Sequence, residues 1–498
     1  MHMMNEKKLT QYKYRLTGHR VFIEATAMIS VMTAALIMIY WIGNTWMQMM
    51  LSLIWICFAV LAALYLKERV TSADLLTSVM YVFIASTFLN QALLSISAGS
   101  FTLFLYRLLL LVCMAVFLVH AARTGGFGHL WAASPIKGTL LFLLFWLAYA
   151  AVSLIWSWSI IEGMKYLLLL GIGIAFLFLA VFTFTTVRQM LVFHLIWLVM
   201  SGVLIFIGLI NHFARIQLPT SSLYGGPDYK QGYPTAVFTN QNDFATLLAI
   251  AVFFYLAAAR NIRQPLIRLI NLLLAGLSVW LIVLTESRAS LLGAVAGIAF
   301  YLFLMLPEKT RKGVFWAGVA AALTGMVVFS GKLFEKLQNV LGGPAVFSVN
   351  ENPSSNTVRM NLLKSAWHYL GDSFGFGTGA GNIPVYLEHQ PVRNTDQIFE
   401  VHNWLMELTG NFGFLFGAGY LAMYLALFAA LLKIHSGKIG RSTRLLVETC
   451  MTAQVAFLVS SISPSSVSNL YFHWVFLGFV LCTVSVLYQS KSRERLSE

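Results

Sequence analysis

Four side chains, widely separated along the chain, are the ones best suited to chemistry: Arg215, Arg288, Arg359 and His402. A guanidinium fork matches the oxygens of a phosphate or diphosphate. An imidazole titrates near neutral pH and takes a proton from a hydroxyl. Together they suit transfer of a group from a diphosphate to an alcohol. Arg288 closes Thr285-Glu286-Ser287-Arg288, at the start of an apolar run, where a helix N-terminus already favours anions. Pairing with Glu286 or snorkelling to lipid headgroups are the plainer uses of the same residue.

Three further stretches could shape a site. Asn240-Gln241-Asn242-Asp243 opens an apolar run; Asn and Asp are strong N-caps, but three such side chains in four positions exceed what one cap requires. Gly375 to Asn382 carries glycines at 375, 377, 379 and 381. It lacks the Gly-Lys-Ser/Thr ending of a phosphate-binding P-loop, so close backbone approach is the simpler use for Gly377, Gly379 and Gly381. His402-Asn403 precedes another apolar run, with Asn403 a natural cap and Glu407 placed for the first turn.

The elements that must position these residues are membrane helices. Of 498 residues, 59% are hydrophobic and 10% charged, with mean hydropathy +0.76; soluble domains run near one quarter charged. The expected fold class is all-α, a polytopic integral membrane protein of about 12–14 spans. A span needs roughly 20 apolar residues, and fourteen segments qualify. The first seven are 21–41, 46–66, 73–93, 101–122, 139–156, 164–186 and 189–210. The others are 241–259, 266–285, 289–306, 313–331, 403–432, 445–463 and 469–489. The first run is too long for a signal-peptide core and reads as a retained span. Cys57, Cys113, Cys450 and Cys482 lie inside these spans without metal-ligand spacing and read as small core residues.

A net charge of +14 would suggest nucleic acid in a soluble protein. Here the basic residues sit between apolar runs, where the positive-inside rule accounts for them and nucleic acid is not an expected partner. With the N-terminus inside, 23 of the 33 Lys and Arg fall on that side or at its edge, which predicts an N-in, C-in chain. Arg215, Arg288 and Arg359 are among those opposing the bias; Lys332, Lys336 and Lys364 read as solvated faces of loop helices. Three regions are expected: a bundle over 1–210, a catalytic region over 211–432 and a C-terminal hairpin with a basic tail over 433–498. The middle region carries two outer segments, 211–240 and 332–402. A loop as long as the second is rare unless it has a function. Within it, Leu333–Leu341 reads as a short helix and Pro344–Ser355 as a turn-rich connector. Asn361–Leu370 reads as an amphipathic helix with Leu362, Leu363, Ala366, Trp367 and Leu370 on one side.

At these residues the chain resembles the O-antigen ligase/polymerase superfamily of bacterial membrane glycosyltransferases. Four blocks carry the likeness in order: Asn240 to Ala245, Ser287-Arg288, Arg359 with Gly375 to Asn382, and His402-Asn403. The ligase signature is His, then Asn, Ser or Gln, nine residues, Gly, two residues, then Gly, Thr or Tyr. Here nine residues separate Asn403 from Gly413, but the last slot holds Phe416, with Gly417 one place late. In overall pattern the chain looks closest to members that build teichuronic acid, a uronic-acid wall polysaccharide of Gram-positive bacteria. The resemblance implies a polyprenyl-diphosphate-linked oligosaccharide as substrate, held in membrane lipid. It implies no nucleotide sugar, no metal and no other cofactor, with other polysaccharide-assembly membrane proteins as partners. Arg288 and Arg215 would neutralise the diphosphate, Arg359 would assist, and His402 would be the base or its organiser. The substrate contacts would fall to Asn240, Asn242, Asp243, Ser287, Gly377, Gly379, Gly381, Asn382 and Asn403.

The expected function is polymerisation of lipid-linked repeats on the outer face of the cell membrane. A ligase for finished glycan is the runner-up. A flippase should distribute charge along a route through its spans; this chain offers chiefly Glu24 and Arg107, which favours the enzyme. Sidedness is open to direct measurement. An impermeant thiol reagent should label Tyr229→Cys and Asn356→Cys from outside, and cysteines at Arg263 and Ser436 only after permeabilisation. Labelling of the first pair solely from inside would sink the assignment of an outer site.

Overall fold

The computed structural model describes residues 72–89, 95–98, 101–328, 330–331, 355–464, 466 and 470–497. The expected spans 21–41 and 46–66, Glu24, Cys57, the inner charges before residue 70 and the helix over 333–341 lie outside the described residues, as do Lys332, Lys336 and all but the last residue of the 344–355 connector. The chain forms two compact units, residues 1–120 and 121–498.

In the first unit, helix α1 (Ser72–Thr87) is followed by strands β1 (Ser95–Ala98) and β2 (Phe101–Phe104), and α2 (Leu105–Arg123) leads into the second unit. The strands pair antiparallel, Ser95 opposite Phe104 and Ala98 opposite Phe101. The expected span 73–93 is therefore a shorter helix, and the expected span 101–122 begins as a strand. Ser95-Ile-Ser-Ala alternates polar and apolar residues at period two, which is a strand pattern, and Phe101-Thr-Leu keeps it before Phe104. Arg107 stays near this hairpin, its guanidinium 4.6 Å from the centroid of the Phe104 ring.

The second unit is helical. It runs α3 (Phe127–Ala133), α4 (Lys137–Val152, ending in a 3₁₀ turn), α5 (Ile160–Thr183), α6 (Val187–Ala214), α7 (Gln241–Asn261), α8 (Pro265–Leu284) and α9 (Arg288–Met305). Then follow α10 (Glu308–Val328), α11 (Ser355–Asp372), α12 (Ile383–His389), α13 (Trp404–Phe412), α14 (Phe414–His435), α15 (Arg441–Ser460) and α16 (Tyr471–Ser497). Nine helices among the described residues are long and apolar enough to cross a bilayer: α2, α4 to α9, α14 and α16. This is a polytopic membrane protein, all-α apart from one hairpin among the described residues. The expected spans 313–331 and 445–463 form helices, α10 and α15, which are not among those nine. The expected span 403–432 is two helices, α13 and α14, broken at Gly413 with φ 86°. Local chemistry sets the helix starts. Thr186 and Gln189 form a capping box on α6, and Pro265 occupies the first turn of α8, where its missing N–H costs nothing.

Burial ranks the helices. The spans of α7 and α16 are 89% and 94% buried, against 28% for α4 and α8, so the first two are the core. Small residues allow the closest approach. Gly293 and Gly297 of α9 meet α15 and α7, where an added Cβ on Gly293 would come within 2.6 Å of the Ala456 carbonyl. Cys113, Cys450 and Cys482 are buried free thiols.

At the end of α7 opposite Asn240, Arg260 donates to Glu448 of α15 at 2.8 Å. Asn261 donates to the other carboxylate oxygen at 3.2 Å. Glu448 is fully buried and Arg260 one third exposed. Removing one partner of a buried pair leaves an uncompensated charge, about 3 kcal/mol at the lower end of measured cases. Arg260→Ala should therefore lower the thermal midpoint in detergent, with Arg260→Ala/Glu448→Gln recovering part of the loss. Equal midpoints for Arg260→Ala and wild type would show the pair to be neutral.

Candidate active site

Helices α7, α9 and α13 start at one end of the second unit. Asn240 caps α7, its Oδ1 accepting from the backbone N–H of Asn242 at 2.9 Å and of Asp243 at 3.0 Å. Its Nδ2 donates to Asp243 Oδ2 at 3.0 Å, so Asn240 and the acid in the first turn satisfy each other at the positive end of the helix. Asn403 caps α13 through the Met406 N–H at 3.0 Å. Ser287 stands before α9 with its hydroxyl turned elsewhere, 2.7 Å from Ser463 Oγ and 3.0 Å from Ser290 Oγ.

Ser463 joins these starts. Its Oγ donates to Asn242 Oδ1 at 3.0 Å, and its carbonyl lies 3.2 Å from His402 Nδ1. Three blocks that are far apart in the chain therefore meet on one serine. The carbonyl only accepts, so Nδ1 carries the proton in this bond and the neutral ring leaves Nε2 bare. Ser463 itself did not stand out from the sequence. The available signal was its neighbourhood, Ser460-Ser-Ile-Ser-Pro-Ser-Ser466, a serine and proline cluster between two apolar runs.

Charge gathers on the same side. Burial first, and then the positive charge of Arg288, lower the proton affinity of Arg359. Burial also lowers the pKa of His402; the Ser463 carbonyl opposes this, Arg359 adds to it, and Glu400 and the Pro464 carbonyl oppose it. Arg288, Arg359 and His402 thus form a series in which each feels the next. Neither arginine has a carboxylate partner among the described residues. Glu286, the partner considered for Arg288, forms no ion pair with it among the described residues; its carboxylate acts on Tyr233, whose pKa is raised by burial and then by that charge. Arg215 is the exposed left-handed C-cap of α6, φ 56°, and its charge does not register on His402 or Arg359.

The segment 332–402 is folded where described. Val358, Leu362, Ala366 and Tyr369 of α11 pack with Ile383, Leu387 and Val401. The expected amphipathic helix is thus present and longer, and Trp367 leaves that core to sit 5.6 Å from the ring of Phe414. Gly377, Gly379, Gly381 and Asn382, assigned above to substrate, have most of their polar groups committed within the chain. Gly377 N–H donates to Ser373 Oγ at 3.0 Å and Gly379 N–H to the Asn411 carbonyl at 3.0 Å. Asn382 is fully buried, its Oδ1 accepting from the Ser159 N–H at 2.8 Å and its own N–H donating to Asn411 Oδ1 at 3.0 Å. A Cβ on Gly377 would lie 2.6 Å from the Asn411 carbonyl and the Gly413 nitrogen, and one on Gly381 would lie 2.6 Å from Tyr166 Cβ. The glycines are a seam that lets this segment lie against the α13–α14 break. Phe416, in the slot where the ligase signature has Gly, Thr or Tyr, is buried against Phe412, Phe145 and Tyr149. Glu407, expected only in a first turn, is buried and accepts from Tyr166 at 3.1 Å and Ser466 at 2.8 Å, fastening α13 to α5.

Comparison with known proteins gives two findings. A profile of the O-antigen ligase family matches residues 273–421, which include Arg288, Arg359, the glycine seam and His402. The teichuronic acid biosynthesis protein TuaE of Bacillus subtilis (strain 168) is 45% identical over 426 residues, covering 84% of this chain and 86% of its own.

The seam is testable by one methyl group. Gly377 has φ 86°, and its neighbours are backbone atoms that cannot rotate away. Gly377→Ala should cost more than about 2 kcal/mol, combining left-handed strain with the clash. Gly371→Ala, at an exposed helical position with nothing within 4 Å of the added Cβ, is the control and should hold or slightly raise the thermal midpoint. Equal midpoints for both variants would remove the seam.

Proposed function

Because this chain belongs to the O-antigen ligase family, together with a teichuronic acid biosynthesis protein, we propose that it polymerises polyprenyl-diphosphate-linked repeat units into a cell-surface polysaccharide of the teichuronic acid kind. The reaction occupies the extracytoplasmic side. An acceptor hydroxyl attacks the anomeric carbon of the donor sugar, the bond from that carbon to the diphosphate breaks, and the configuration inverts. The hydroxyl proton goes to His402 Nε2, and the diphosphate leaves on its lipid carrier.

The observation that carries this reading is the arrangement of Arg288, Arg359 and His402. Two cations without carboxylate partners among the described residues repel each other, and a diphosphate between them relieves that repulsion. Stabilising the leaving group in this way is the term that usually contributes most in transfers of this kind. His402 is kept neutral by burial and by Arg359, and neutral is the form a base needs. The Ser463 carbonyl selects which nitrogen is bare. Arg215, the exposed C-cap of α6 at the start of the 215–240 loop, we place as a further contact for the donor.

The test is purified protein given a synthetic polyprenyl-diphosphate repeat unit without nucleotide sugar. A ladder of products is expected; a single transfer to a lipid or protein would make it a ligase, and no product would refute both. His402→Gln should lose roughly 10²–10⁴-fold, the usual worth of a general base. The sign of the pH effect follows from the charges. A lowered pKa keeps His402 unprotonated at neutral pH, so wild-type activity should fall only on the acid side of the ordinary histidine range. Arg359→Gln removes a charge that lowers this pKa, so the acid limb of its residual activity should move up, towards neutral. Near wild-type turnover by His402→Gln with an unchanged limb would rule out the base.

A further inference from the structure

We infer that Ser463 is a positioning residue for the transfer, acting through His402; the inference rests on His402 being the base. Every polar atom of Ser463 is engaged. Its N–H donates to the Ser460 carbonyl at 3.0 Å, its Oγ donates to Asn242 Oδ1 at 3.0 Å and meets Ser287 Oγ at 2.7 Å, and its carbonyl receives His402 Nδ1–H at 3.2 Å. The residue is fully buried, so no water competes for these bonds. The hydroxyl therefore ties the carbonyl that orients His402 to the first turns of α7 and α9.

Two constraints make that carbonyl a fixed reference. Pro464 follows, and the residue before a proline is held out of the helical region. Ser287 also stands one residue before Arg288, so the same hydroxyl relates the base to one of the diphosphate arginines. Base and leaving-group site are thereby registered on one another, and a misplacement of about 1 Å costs on the order of 10²-fold in such reactions. His402 occupies the left-handed region, φ 53°, a conformation that needs outside support in a non-glycine residue. The Ser463 carbonyl supplies one such contact.

The experiment is a cycle in the product-ladder assay with wild type, Ser463→Ala, His402→Gln and the double variant. Ser463→Ala should lower kcat at least tenfold with KM for the lipid donor within twofold. In the His402→Gln background, Ser463→Ala should change the residual rate by less than twofold, because its effect passes through the missing imidazole. If Ser463→Ala does not fold, Pro464→Ala, which leaves the hydroxyl and frees the carbonyl, should lower kcat three- to tenfold with the same epistasis. The inference is overturned if Ser463→Ala, or Pro464→Ala in its place, turns over at the wild-type rate. It is equally overturned if the loss appears in KM, or if the double variant falls a further tenfold below His402→Gln. Wild-type turnover by His402→Gln would instead overturn the base assignment, and this inference with it.

Discussion

A serine hydroxyl 2.7 Å from one helix cap and 3.0 Å from the first turn of another is the contact on which this site depends. Helix starts leave backbone N–H groups without intrahelical partners. In a protein surrounded by lipid, buried groups of this kind must find partners within the chain. Asn240 and Asn403 meet that need locally for α7 and α13. Ser463 goes further and makes three starts share one polar network, which adjoins the cationic residues.

Placing Arg288 and Arg359 close enough to feel each other has a cost in the unliganded protein. Like charges raise each other's energy, and in the reaction proposed above a diphosphate held by both would relieve that repulsion with little reorganisation. The fold supplies the rigidity on either side. The segment over 355–402 has its own apolar core, and the glycine seam lets it lie against the α13–α14 break with backbone touching backbone. His402 is then held between that segment and the Ser463 turn.

Much of this was legible in the sequence because it is local. The caps at Asn240 and Asn403 follow from rules that act over three or four residues. Hydropathy located the nine spans for the same reason, since each is a continuous apolar run. What was hidden is non-local or subtle. Ser463 reaches partners 61, 176 and 221 residues away, and no short-range pattern encodes such pairings. The break at Gly413 is one glycine between apolar runs, so hydropathy reads across it. The hairpin at 95–104 was missed because β2 falls at the start of the expected span 101–122 and β1 in the connection before it, both too short and too apolar to stand out. The glycines 377–381 were visible as a spacing, but only their neighbours show why a side chain does not fit.

Helix α7 is fastened to α15 or its continuation at both ends. Asn242 bonds to Ser463 at one, and Arg260 and Asn261 bond to Glu448 at the other. At 21 residues it is a strut about 30 Å long, matched to the hydrocarbon core of a typical bilayer. It is also 89% buried, so lipid scarcely touches it. Adaptation to a thinner or thicker bilayer, by tilt or local deformation, therefore falls to lipid-facing helices such as α4 and α8. The working end of the molecule keeps its dimensions while its periphery follows the membrane.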